Sequence, residues 1–194
     1  MIAQEVKMES NNFSRVNPQL FSLWVGMASI VMLFGAMTSA YIVKKGAGNW
    51  LEFSVPSVFY ISTAVIVLSS VTMHAARNAF RRSQEGAYKF LILATFILGL
   101  AFLVLQYQGW SQLYGNGVDL KTNVAGSFFY LITWFHAAHI LGGIGALLAS
   151  VINAYSLKFK VTDHRKNRVE MLTHYWHFVD VLWVYLLIFL IYIK

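Results

Sequence analysis

Residues 122–157, TNVAGSFFYLITWFHAAHILGGIGALLASVINAYSL, contain no aspartate, glutamate, lysine or arginine, and this run decides the fold. A helix that crosses the hydrocarbon core of a bilayer needs roughly 20 apolar residues, at a rise of about 1.5 Å per residue. The run is longer than one crossing requires. We therefore predict a membrane-spanning helix at about residues 125–155 that tilts or projects from the bilayer.

Four more apolar runs flank this segment, and only the last of them contains a charge, Asp180. Helices satisfy their own backbone hydrogen bonds in lipid, which strands outside a closed barrel do not. The chain is therefore predicted to be all-α, a polytopic membrane bundle with one domain at residues 21–194 behind an N-terminal cytoplasmic tail at 1–20. The predicted spans lie at about residues 21–43, 56–76, 90–111, 125–155 and 172–193.

The composition of the 194-residue chain agrees with a membrane protein. Hydrophobic residues make up 58% and charged residues only 12%, whereas soluble domains carry about 25% charged residues. Cysteine is absent, which excludes disulfides and thiolate metal sites. The net charge of +7 arises in short links between apolar runs, so it indicates membrane orientation and no nucleic-acid partner.

The distribution of lysine and arginine predicts the orientation of the spans. With the N-terminus in the cytoplasm, eleven basic residues fall inside and four outside, as the positive-inside rule requires. The C-terminus is then periplasmic. The inside set is Lys7, Arg15, Arg77, Arg81, Arg82, Lys89, Lys158, Lys160, Arg165, Lys166 and Arg168, and the outside set is Lys44, Lys45, Lys121 and Lys194.

Links, aromatic clusters and glycines give further local predictions. Residues 46–49 and 115–117 are typical of turns, and 162–167 form a polar link. The aromatic cluster at 174–178 and the one formed by Tyr107, Trp110 and Tyr114 are predicted to be belts at the membrane interface. Small residues permit close backbone approach between helices; they are Gly99 and Ala101 in helix 3 and Gly142, Gly143, Gly145, Ala146 and Ala149 in helix 4.

Four histidines occur in pairs spaced by three residues, His136 with His139 and His174 with His177. Residues at this spacing share a helix face, and two facing pairs could ligate a haem or a metal between helices. The alternative is that the imidazoles hydrogen-bond across the bundle and hold helices 4 and 5 in register. We favour the structural role, because His174 and His177 fall in the first turns of the predicted helix 5.

Two carboxylates near or within helix 5 stand out. Asp180 lies within the span, where a charge costs roughly 2.5 to 3.5 kcal/mol on insertion scales, so it must face a partner. We favour a structural acceptor for a histidine or tryptophan donor over a step in a proton path. Glu170 lies just outside the span, where an arginine or lysine of the same loop or a lipid headgroup is the expected partner.

Two stretches of the chain form recognisable signatures: residues 127–143, SFFYLITWFHAAHILGG, and residues 174–183, HYWHFVDVLW. Both closely resemble the signatures of subunit III of haem-copper respiratory oxidases. Further matches at residues 34–41, 69–72 and 105–110 extend the resemblance over nearly the whole chain. With five spans, the chain is similar to the shorter bacterial form of this family rather than to the seven-helix form.

The resemblance implies an accessory subunit of an enzyme that reduces oxygen to water and pumps protons. The haems and copper would lie in partner subunits, so no catalytic, cofactor or metal residue is expected in this chain. Expected partners are catalytic subunit I by direct contact, subunit II, small subunits, a possible respiratory supercomplex and phospholipid, in a bacterial plasma (inner) membrane. The structural or lipid-contact candidates are His136, His139, Glu170, His174, Trp176, His177 and Asp180.

Two positions depart from the family pattern, and two rival functions stay open. Ile30 occupies the place of a common acidic residue, and Gly109 that of a glutamate. One rival is a self-contained electron carrier with haem bound by the histidine pairs. The other is a small transporter that uses Asp180 in alternating access.

Overall fold

Five long helices account for nearly all of the chain in its computed structural model. The structure describes residues 18–48, 50–118, 120 and 123–193, and this part of the chain contains no strand. Each helix is long and apolar enough to cross a membrane, which confirms the predicted all-α bundle with five spans. The helices are α1 Pro18–Gly46, α2 Val58–Arg81, α3 Glu85–Gly115, α4 Val124–Ser156 and α5 Asp163–Tyr192.

Every helix extends beyond its predicted span at one end or at both, because polar and charged residues continue the helix outside the apolar layer. The largest difference is in α5, which begins at Asp163 instead of about residue 172. Its first turn is capped by Thr162, whose side chain accepts the N–H of Arg165 at 3.4 Å. Much of the predicted polar link is therefore helical. The expectation that His174 and His177 lie in the first turns of the helix is wrong.

The links outside the helices contain the predicted turns. Gly48 and Gly117 adopt positive φ angles of 88° and 80°, a conformation that glycine tolerates best. Asn49 and the tail at residues 1–17 lie outside the described residues. Asn123 caps α4 by accepting the N–H of Ala125 at 2.8 Å, and it also accepts the N–H of Leu51 at 3.3 Å, so it ties the α1–α2 link to the start of α4.

α5 is the central helix of the bundle. It packs on α1, α2 and α4, and half of its span is buried within the chain, against 11% for α1. α2 and α3 form the most extensive helix pair, whereas α1 contacts α4 and α5 alone among the described helices. The polar residues of α5 therefore face three different neighbours.

Trp176 of α5 occupies the middle of the core and is fully buried. A Cβ atom added at Gly99 of α3 would lie 3.0 Å from its ring, and one added at Gly143 of α4 would lie 2.9 Å away. These two glycines therefore make room for an indole rather than for another backbone. The prediction of an interface belt is wrong for Trp176, although Tyr107 and Tyr114 are exposed as a belt requires.

Candidate functional site

A line of polar side chains runs between α2 and α5, and we call it the polar seam. Its members on α2 are spaced by three or four residues, which places them on one helix face, and α5 carries the residues opposite them. The seam consists of Ser70, His74, Arg77, Arg81, Glu170, His177 and Asp180.

Glu170 closes one end of the seam through two arginines. Its Oε1 atom accepts from Nη2 of Arg77 at 2.7 Å and from Nη2 of Arg81 at 2.6 Å. The hydrogen bond from Arg77 is the main cause that lowers the pKa of Glu170 below its ordinary value, while partial burial opposes it. The carboxylate is thus ionised at neutral pH. Its partners come from α2, so the prediction of a partner in its own loop is wrong.

His177 lies in the middle of the seam, bonded to α2. Its Nδ1 atom hydrogen-bonds the hydroxyl of Ser70, and its ring lies 5.9 Å from the ring of His74. Its Nε2 atom is buried and has no partner in the part of the chain described. A cleft of about 340 Å³ opens beside these three side chains, with Val71, Ala75 and Asn78 completing its lining.

Asp180 is buried behind Ser70 and His177. Its residue surface is 3% exposed, and neither carboxyl oxygen has a hydrogen-bond partner among the described residues. The tryptophans that could have served it bond to hydroxyls of α2 instead. Trp176 donates to Ser69 and Trp183 to Thr63, each at 3.0 Å. The predicted tryptophan or histidine donor to Asp180 is therefore not found.

The four paired histidines do not form two facing pairs. His136 is fully buried and stacks on Trp183 with ring centroids 5.0 Å apart, and neither of its nitrogens has a partner within the described chain. Nδ1 of His139 lies 2.7 Å from the carbonyl oxygen of Phe135 in its own helix. His177 faces α2 rather than α4.

His174 bonds within its own helix as well. Its Nδ1 atom lies 2.7 Å from the carbonyl oxygen of Glu170, and its ring lies 6.2 Å from Trp24 of α1. In the described ranges, no three histidine, aspartate or glutamate side chains converge on one point in a way that suits a metal ion.

Sequence reasoning missed the hydroxyl residues of α2 as the polar contacts that join the helices. Ser62 accepts the amide of Gln106 at 3.1 Å, and Thr72 bonds Thr95 at 2.9 Å. Together with Ser69 and Thr63, they form a polar face of α2 toward α3 and α5. The signal that could have revealed them is the spacing of Ser62 and Ser69 by seven residues, or about two helical turns, with Thr72 three residues further along.

A groove of about 780 Å³ lies between α1 and the rest of the bundle. Its floor contains Gly142, Ala146 and Ala149 of α4, and Arg168 of α5 lines it near the α4–α5 link. Arg168 has no ion-pair partner among residues 18–48, 50–118, 120 and 123–193. The groove therefore combines an apolar floor with an uncompensated positive charge.

The sequence of the chain matches the family model described as cytochrome c oxidase subunit III over residues 48–194. The chain belongs to this family. The stated resemblance is thereby confirmed, and the match includes α2 to α5 together with the whole polar seam.

Relatives of subunit III support the assignment along most of their length. Cytochrome c oxidase subunit 3 of Corynebacterium diphtheriae is 30% identical over 178 residues, which cover 88% of this chain and 85% of the relative. The subunit 3 of Thermostichus vulcanus is 30% identical over 175 residues, with 87% and 84% covered. The cytochrome bo(3) ubiquinol oxidase subunit 3 of Buchnera aphidicola is 23% identical over 172 residues, with 87% and 90% covered.

Close packing against Phe59 explains why this subunit III chain has a glycine at position 109. A Cβ atom at this position would lie 2.7 Å from the ring of Phe59, a separation that requires the ring to move. A glutamate at this position is therefore incompatible with the observed position of Phe59, which is itself fully buried. Ile30, the other departure, is partly buried and packs against the core.

Proposed function

We propose that the chain is the non-redox subunit III of a proton-pumping terminal oxidase. In this role it packs on catalytic subunit I, holds structural lipid, supports proton uptake and protects the complex during turnover. The observation that carries the proposal is the family match over residues 48–194, together with relatives that are themselves oxidase subunits of nearly the same extent.

The outer face of α1 is the docking surface that we propose for subunit I. Only 11% of the α1 span is buried within the chain, against 28–50% for the other four spans. Small exposed residues recur along this face, and in membranes such residues let a neighbouring helix approach closely. They are Gly26, Ser29, Ala36 and Ala40.

Cysteine cross-linking tests this docking face cleanly, because the chain has no cysteine of its own. We expect Ser29→Cys on α1 to cross-link to subunit I in the assembled oxidase. The matched control is Ile97→Cys on α3, a 55% exposed position that should face lipid. Cross-linking from residue 97 and none from residue 29 would contradict the proposed face.

The groove beside α1 is the proposed site for a structural phospholipid. Its apolar floor suits acyl chains, and Arg168 suits an anionic headgroup. Lipid contact at Glu170 and His139 stays a prediction. Those two side chains lie against different helices, since Glu170 bonds α2 and the ring of His139 lies 5.6 Å from that of Phe34 in α1, so they would belong to different lipids.

Support of proton uptake follows from packing rather than from a redox centre. A well-packed bundle that covers the flank of subunit I keeps the region where protons enter ordered and correctly hydrated. We expect an oxidase purified without this chain to keep its haem spectrum while its activity decays faster with each turnover. Equal durability with and without the chain, over many turnovers, would contradict this role.

The orientation and the location are part of the proposal. The N-terminus is cytoplasmic and the C-terminus periplasmic, with five spans in a bacterial inner membrane, and the excess of lysine and arginine on one side supports this. A cysteine placed at Lys158 should react with a membrane-impermeant reagent only after the cells are opened. One placed at Lys45 should react in intact spheroplasts. The reverse pattern would overturn the orientation.

The electron-carrier and transporter alternatives receive no support from the geometry. The histidines that would bind haem contact different neighbours, as His136 stacks on Trp183 and His177 bonds Ser70. An absorption spectrum of the isolated chain separates the carrier from the subunit, because bound haem gives a strong Soret band. Flux into liposomes that contain only this chain would favour the transporter.

A further inference from the structure

Asp180 is an ionisable side chain that neither the packing nor the proposed docking uses. It is almost fully buried, and both of its carboxyl oxygens lack a hydrogen-bond partner within the described chain. A carboxylate in that state is strongly disfavoured, since burial of a charge without donors costs several kcal/mol or more. Asp180 must therefore hold a proton, or bind water, or both.

Ser70 connects Asp180 to the surface of the bundle. Ser70 is the polar side chain next to the Asp180 carboxyl, and its hydroxyl bonds Nδ1 of His177. Ser70 and His177 both line the cleft of about 340 Å³ that also contains the exposed His74. A water molecule fills about 30 Å³ in the liquid, so the cleft has room for several.

The charged neighbours leave the carboxyl of Asp180 uncompensated. Arg77 of α2 is bonded to Glu170, and Nδ1 of His174 lies 2.7 Å from the carbonyl oxygen of Glu170. The ring of His74 of α2 lies 5.9 Å from that of His177. From α4, His136 stacks on Trp183. No charged side chain among the described residues forms an ion pair with Asp180, and Ser70 is the polar side chain next to its carboxyl.

We propose that Asp180, Ser70 and His177 form a hydrated proton-binding site, with Asp180 as the acid and water in the cleft as the exchange partner. On release, the O–H bond of the acid breaks, and a new bond forms between the proton and the oxygen of a cleft water. The reverse transfer restores the acid, so no other reactant is needed. The site lies within this chain and is independent of the subunit on which the chain packs.

Infrared spectroscopy of the full chain in lipid nanodiscs tests whether the carboxyl group of Asp180 carries a proton. A protonated carboxylic acid has a carbonyl stretching band separate from that of a carboxylate. At neutral pH we expect this band in the wild type, with a shift when aspartate is labelled with ¹³C and a further shift in D₂O. Asp180→Asn should lose the band. Asp163→Asn, the change of a 96% exposed side chain, should keep it.

A second variant gives an independent result in case Asp180→Asn fails to fold. The chain has three aspartates, Asp119, Asp163 and Asp180. Replacement of the first two by asparagine leaves Asp180 as the sole source of any labelled band. Absence of the band from this variant would overturn the proposal, and so would a band that does not respond to D₂O, since that acid would be dry.

Ser70→Ala tests the connection to the cleft. The carboxyl remains, while the hydroxyl that joins it to His177 is gone. We expect the band to persist and its response to D₂O to become slower. An unchanged response would overturn the role of Ser70 in the site. Retention of the helical circular dichroism spectrum shows that the variant is folded.

Discussion

The two sides of α5 make different kinds of contact, although their residues are only a few positions apart in the sequence. Toward α3 and α4, Trp176 fills a space that Gly99 and Gly143 leave open. Toward α2, Glu170, His177 and Asp180 face serine, histidine and arginine side chains. On the first side, the steric fit between Trp176 and the two glycines accounts for the residues present. On the second side, close packing alone does not require polar residues. The presence of the polar seam therefore needs a functional explanation.

The largest expected effect on stability comes from creating a cavity at Trp176. Trp176→Ala removes a fully buried indole and should lower the free energy of unfolding by about 3–5 kcal/mol. Equilibrium unfolding of the chain in mixed detergent micelles measures the change. The control is Trp134→Ala, a 63% exposed position, where we expect a small effect. Equal losses in both variants would show that Trp176 does not organise the core.

A smaller loss of stability should follow when a methyl group is added next to Trp176. Gly143→Ala places a Cβ atom 2.9 Å from the Trp176 ring, and overpacking of this kind costs about 1–3 kcal/mol. Gly145→Ala is the matched control in the same helix, because an added Cβ there meets no atom within 4 Å. The same unfolding measurement distinguishes them. A variant at residue 143 as stable as the one at residue 145 would contradict the shape argument.

The polar side should contribute least to stability, and its contribution should depend on pH. Because the arginines lower the pKa of Glu170 in the folded chain, its stabilisation is present above the ordinary glutamate pKa. It is lost as the pH falls through the lowered folded value. We expect about 1 kcal/mol or less for this partly exposed pair.

Comparison of two glutamine variants isolates the pH effect of Glu170. Glu170→Gln should flatten the acid limb of the curve of stability against pH. Glu85→Gln, which breaks a pair with Lys89 within one helix, should leave that limb in place. An unchanged acid limb in Glu170→Gln would show that the seam ion pair does not stabilise the bundle.

The five spans could be predicted because a charge in hydrocarbon is disfavoured, so long apolar runs with no charge, or with the single charge of Asp180, mark the spans. The ends of the helices could not be predicted in this way, because polar and charged residues can continue a helix into water without the cost of placing a charge in hydrocarbon. Asp163, which begins α5, and Glu85, which begins α3, are both polar and both helical. Sequence therefore locates the membrane-crossing part of a helix and not its length.

The polar contacts were predictable only in part. That Asp180 and the histidines face the bundle follows from their chemistry, but which partner each one meets depends on the rotation of neighbouring helices. Ser69 and Thr63 take the tryptophan donors that had been expected for Asp180. An aromatic cluster near a predicted helix end is typical of interface belts, so the sequence places Trp176 at the interface, whereas its complete burial against Gly99 and Gly143 shows that it belongs to the core.

We propose that this chain supports an active centre located in other subunits, and purification of the chain from native membranes is the decisive experiment. The chain carries an affinity tag and is extracted in mild detergent, and the copurifying proteins and the absorption spectrum are recorded. We expect the chain to copurify with the haem-containing catalytic subunit and to show a Soret band that disappears when that subunit is removed. A pure chain that copurifies with no oxidase subunit and retains its own Soret band would contradict it.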